Sequence, residues 1–114
     1  MAFIYLASPY TDKSDLIMHN RYLQVAEITA QLLNRGIHVY SPIVHCHELA
    51  KRFSLPRDFD FWQRYNEAML EMASALHILQ LEGWNNSKGV RKEIGFATSN
   101  SIPIVHLPYP LEIV

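Results

Sequence analysis

Apolar positions along the chain fall into short runs separated by longer stretches of helical periodicity. Residues 3–7 are an apolar run stopped by Ser8-Pro9-Tyr10-Thr11, which predicts a buried strand feeding a loop. Leu16, Leu23, Ala26, Ala30 and Leu33 then recur at helical spacing, with Asp12 or Ser14 available as a cap and Gly36 as a stop. This predicts an amphipathic helix over 14–35. Residues 37–40 read as a second strand ended by Ser41-Pro42, residues 43–50 as a loop and a short helix, and 55–58 as a turn. Residues 61–73 are helical, with Trp62, Met69 and Met72 expected in the core. Residues 75–81 are apolar nearly throughout, as suits a central strand covered on both faces. The loop 82–86 leads into a helix around Glu93, residues 102–107 form a fourth strand, and Pro108-Tyr109-Pro110 ends the regular structure.

Strands alternating with helices predict an α/β fold with a parallel sheet and helices on both faces. In such folds ligands bind at the carboxyl ends of the strands. Three loops should meet there: 8–13, 41–48 and 82–89. At 114 residues the chain fits one domain.

Composition removes several classes of function. With 49% hydrophobic and 18% charged residues the chain is an ordinary globular sequence, not a disordered one. A formal net charge of -1 gives no basic excess for a nucleic-acid polymer or an anionic membrane surface. Cys46 is the single cysteine, so no internal disulfide can form. The first residues lack the basic flank and length of a signal sequence, and no apolar run is long enough to span a bilayer. The expectation is a cytoplasmic protein.

The chemistry concentrates in residues 85–97. If Asn86 or Ser87 caps the helix, the free N–H groups of its first turn can hold an anion. Gly89 lets a ligand approach the backbone, and Glu93, four residues on, shares its helix face. The positive helix end with Lys88, Arg91 and Lys92 should keep Glu93 ionised. Such a carboxylate can attack a cationic sugar centre. It can equally pair with Arg91 or Lys92 on a solvated surface, and spacing leaves both open. Tyr10 is either a ligand-facing phenol or a loop tyrosine packed on the first helix. Trp84 can stack on a base or cover the sheet edge. His45 and His47 do not form a metal-ligand set of recognised spacing, and no dinucleotide or Walker fingerprint is present. No metal and no cofactor is expected.

The segments Tyr5-Leu6-Ala7-Ser8-Pro9-Tyr10, Tyr40-Ser41-Pro42-Ile43 with His45, and Leu81 through Ile94 together resemble the nucleoside 2-deoxyribosyltransferase-like superfamily. They are most similar to its small DUF1937-type members. The resemblance implies a flavodoxin-like three-layer sandwich with a four- to five-stranded parallel sheet; a fifth strand would have to use residues 111–114 or be absent. It also implies cleavage of the N-glycosidic bond of a nucleoside or nucleotide, by hydrolysis or by deoxyribosyl transfer. In its Ser-x-Gly-x-x-x-Glu element Glu93 corresponds to the nucleophile, and Ser87 and Gly89 to the phosphate site. Tyr10 looks like the tyrosine that orients the nucleophile. Ser8, Pro9, His45, Asn66 and Trp84 complete the implied substrate contacts, and a homo-oligomer, dimer or tetramer, is expected. Two positions depart from the pattern. Asn66 stands where an Asp is usual, and the first loop is Ser-Pro-Tyr-Thr-Asp-Lys in place of a Gly-rich loop with Arg. The competing expectation is a nucleotide-binding module that has lost catalysis.

Overall fold

The computed structural model describes residues 2–111 of the chain. Its elements run β1 (Ile4–Ala7), α1 (Asp15–Asn34), β2 (Val39–Tyr40), α2 (Pro42–Phe53), α3 (Phe59–Met72), β3 (Ala75–Gln80), α4 (Lys88–Ser99) and β4 (Ile104–Pro108). A short 3-10 turn, Trp84–Asn86, precedes α4. The four strands form one parallel sheet in the order β2-β1-β3-β4. The chain leaves β1 toward β2 and then crosses back to β3, so the order reverses between β1 and β3. A crevice opens at such a reversal, outside the carboxyl ends of the strands.

The pleat divides the strand residues between two cores. Leu6, Leu79 and Leu81 face α1, where Met18, Val25, Ile28 and Leu32 meet them with Ile43 of α2. Tyr5, Ala7, Leu76 and Ile78 face the other way, onto Leu70 of α3 and Val90 and Ala97 of α4. This is the three-layer α/β sandwich of the flavodoxin-like type. Both faces of β1 and β3 are covered, which is why these strands are apolar without alternation. Each fully buried leucine contributes roughly 1.5–3 kcal/mol through removal of its surface from water. No helix is long and apolar enough to cross a membrane among the described residues.

Several elements differ from their sequence expectation. The loop and short helix expected at residues 43–50 are one helix of 12 residues, because Ser41 caps it and Pro42 fits its first turn. Ser41 Oγ accepts from the Val44 N–H at 3.2 Å. Its inward stripe contains Cys46 and His47 beside Ile43 and Ala50, which weakens the apolar signal. Met72 is not a core residue but 75% exposed at the end of α3, and Trp62 lies in a cavity wall instead of the core. Met69 packs on the second core as expected. Leu111 lies outside β4, and the remainder of the expected fifth strand falls outside the described residues.

Candidate active site

A cavity of about 540 Å³ occupies the crevice, a size suited to a small molecule. Ser8 and Tyr10 line it from the loop after β1, Pro42 and Ile43 from the start of α2, and Gly83, Asn86 and Ser87 from the loop after β3. Phe59, Trp62 and Asn66 of α3 close one side, and Glu93 of α4 stands inside. The three loops expected to converge do so.

The placement of Glu93 follows from helix geometry. Ser87 caps α4, its Oγ accepting from the Val90 N–H at 3.2 Å. The buried stripe is then Val90, Glu93 and Ala97, at spacings of three and four. A carboxyl group thus occupies a core position, 6% exposed. Tyr5, on the face of β1 that meets α4, satisfies it: the phenol Oη donates to Glu93 Oε2. Burial pushes the Glu93 carboxyl up to about 8, and the Tyr5 hydrogen bond pulls in the other direction. The Tyr5 phenol is itself held well above its ordinary value, first by burial and then by the neighbouring carboxylate.

This reverses the expected charge state. Glu93 is largely protonated at neutral pH and ionises as the pH passes about 8. Two of the three cations that were to ionise it are engaged elsewhere. Lys88 pairs with Asp60 at 3.0 Å, and Arg91 Nε donates to the Asn85 carbonyl at 3.3 Å. Neither solvated surface pairing nor the helix end governs this carboxylate; desolvation does.

The remaining sequence candidates divide. Ser8 lines the cavity with a buried Oγ that has no hydrogen-bond partner among the described residues, and Asn66 lines it at 7% exposure. Tyr10 also lines it, but its hydroxyl meets His47 Nδ1 at 2.6 Å. The tyrosine hydrogen-bonded to Glu93 is therefore Tyr5, not Tyr10. Tyr10 packs in the core with residues of α1, the second of its two expected placements. Pro9 is buried outside the cavity wall. His45 is also outside it, stacked on Tyr65 with Nε2 3.1 Å from the phenol. Trp84 turns its ring edge-on to His106, 5.4 Å away, and covers the β4 side of the sheet. Ser87 and Gly89 are at the cavity, but Gly89 serves a neighbour. A Cβ there would stand 2.9 Å from Cδ1 of Phe59, so the missing side chain admits that ring.

Tyr5, Arg21 and Phe59 were not anticipated. Tyr5 lay hidden in an apolar run where a tyrosine reads as core. Strand alternation separates Tyr5 from Leu6, but it does not say which of the two faces receives α4. Arg21 sits one helical turn and a half inside α1, away from any loop, so nothing local marks it.

His47 forms a second buried polar cluster. It is 2% exposed, stacked on Tyr22 at 4.2 Å, and its ring lies 5.6 Å from that of His19. Nε2 of His47 and Nδ1 of His19 have no partner among the described residues. Burial lowers the His47 imidazole below its ordinary 6.5, Glu48 opposes this, and His19, Lys51 and Arg57 reinforce it. The folded state thus refuses a proton that the unfolded chain accepts. Stability is full above pH 6.5 and is lost as the pH falls below it. His77, also lowered by burial, adds to the same slope. Glu93 pulls the other way over this range, so the measurement uses the Glu93→Gln protein: its unfolding midpoints should fall from pH 7 to 5, and adding His47→Gln should flatten that decline; an unchanged slope would assign it to His77 instead. No group of three or more His, Cys, Asp or Glu side chains suited to a metal occurs among the described residues.

No curated protein matches the chain in a sequence comparison. A family match does exist, and it covers the whole three-layer architecture from the start of β1 to the end of β4. Residues 2–108 match the family described as Domain of unknown function (DUF1937), and the chain belongs to that family.

Proposed function

We propose that the cavity binds a nucleoside or a nucleoside 5′-monophosphate and cleaves its N-glycosidic bond, with Glu93 as nucleophile. The observation that carries this reading is a buried carboxyl, held by a phenol, inside a nucleotide-sized cavity at the carboxyl ends of parallel strands. The resemblance of the Ser87 to Glu93 element to the nucleoside 2-deoxyribosyltransferase-like superfamily supports it. The ionised Glu93 attacks the anomeric carbon as the bond to the base breaks. The base departs with the bonding pair and takes a proton from solvent, since Asn66 carries no acidic proton. Water then hydrolyses the glycosyl ester with overall retention; a second base in place of water gives deoxyribosyl transfer. Tyr5 keeps the carboxylate oriented, and Ser8 and Asn66 offer hydrogen bonds to the sugar. A homo-oligomer, dimer or tetramer, in the cytoplasm belongs to the same proposal. Sedimentation equilibrium of the purified protein tests its oligomeric part.

Asn66 favours a second reading, a nucleotide-binding module without catalysis. The two separate in one experiment. The protein is incubated with nucleosides and their monophosphates near pH 8, and free base is measured. Release of base supports the glycosidase. No release from any compound, with monophosphates still raising the unfolding midpoint, establishes the binding module.

A further inference from the structure

Three cations line the cavity, and they are not equivalent. Arg57 is paired with Asp15 at 2.9 Å, and Lys88 with Asp60 at 3.0 Å. Arg21 has no carboxylate partner among the described residues. It is nevertheless fixed. Nη1 donates to the Tyr10 and Thr11 carbonyls, each at 3.2 Å, which ties the helix α1 to the loop after β1. Nη2 lies against Gly83 in the loop after β3, 2.9 Å from where a Cβ would stand. Gly83 adopts φ 89, so glycine there serves both the turn and the close approach of the guanidinium. The clamp leaves Nε and Nη2 without an acceptor among the described residues, on the edge of a planar fork suited to an oxyanion.

The start of α4 is less able to take an anion. There the Ser87 hydroxyl is committed to the Val90 N–H, Lys88 to Asp60, and the space in front of Gly89 to the Phe59 ring. We infer that Arg21 is the specificity-determining residue of the cavity, binding an anionic group of the ligand beside Tyr10 and Gly83 in place of the N-terminus of α4. The group is an oxyanion, a phosphate monoester or a carboxylate. In a nucleotide ligand it is the phosphate, and that assignment rests on the proposed function.

The test separates the inference from that reading. Glu93→Gln protein, which keeps the cavity but cannot form the ester, is titrated by calorimetry with a nucleoside, its 5′-monophosphate and its 5′-carboxylate analogue. Charge-assisted hydrogen bonds to a clamped guanidinium predict about 10- to 100-fold tighter binding of whichever anionic form fits. Adding Arg21→Gln should erase that preference while leaving nucleoside affinity within about threefold. Adding Arg21→Lys, which keeps the charge but loses the fork, should leave a reduced preference, and it serves if the Gln variant does not fold. A preference that survives both substitutions, or that is removed by Lys88→Gln instead, overturns the assignment; so does the absence of any preference for an anionic form. If Glu93 releases no base but Arg21 still sets the preference, the glycosidase reading fails and the anion site stands.

Discussion

Glu93→Gln should remove base release by at least about a thousandfold and at the same time stabilise the protein at alkaline pH. The first effect follows from loss of the nucleophile. The second follows from linkage. The unfolded carboxyl ionises near 4.5, and the folded one only near 8, because burial opposes the charge. Between these values the unfolded state alone gives up its proton. The stability held by the neutral carboxyl is therefore complete below about 4.5, declines as the pH rises, and is lost by about 8. The span corresponds to a few kcal/mol, on the order of 1.4 kcal/mol per pH unit at most, a sizeable share of a small domain's stability. Glutamine keeps an oxygen for the Tyr5 hydroxyl and carries no charge, so its stability should not follow this decline. Thermal unfolding of both proteins at pH 5 and pH 9 measures it. The variant should gain on the parent at pH 9 relative to pH 5. An equal difference at the two values would mean that water in the cavity solvates the carboxylate, and the raised ionisation point would be withdrawn.

The same residue shows where sequence reasoning reaches and where it stops. The strand–helix alternation was enough for the parallel sheet, because β1 and β3 are apolar on both faces and only a covered sheet allows that. The convergence of three loops at one end follows from the parallel direction of the strands. Glu93 could be singled out as chemistry, yet its charge state was misread. Lys88, Arg91 and Lys92 are near it in sequence, and sequence proximity on a helix suggests neighbours; three-dimensional packing turns Glu93 inward with Val90 and Ala97 while the cations stay outside. Gly89 was read as room for a ligand because the residue that fills that room, Phe59, is thirty positions away and lies at the start of a different helix. Tyr10 was assigned the orienting role through the resemblance, and Tyr5 was not weighed. A loop tyrosine is the usual carrier of a functional hydroxyl, whereas a strand tyrosine can be assigned one only when the helix packed on its face is known.

Tyr5→Phe tests that last distinction. The substitution removes the hydroxyl that donates to Glu93 and almost no volume. The buried carboxyl loses the interaction that favours its ionised form, so the point at which it ionises moves above about 8. If turnover requires the carboxylate, its pH profile should move to higher pH, and activity at pH 7 should fall by about 10- to 100-fold, mainly in kcat. Leaving a buried oxygen without its donor should also cost about 1–3 kcal/mol of stability. Tyr10→Phe provides the contrast. It breaks the bond to His47 and leaves the Tyr5–Glu93 pair intact, so the midpoint of the profile should stay in place. Rate against pH for the parent and the two variants decides between the tyrosines. A profile that moves in Tyr10→Phe and not in Tyr5→Phe would return the positioning role to the loop. A shift confined to Tyr5→Phe would show that one strand hydroxyl governs when this carboxylate can act.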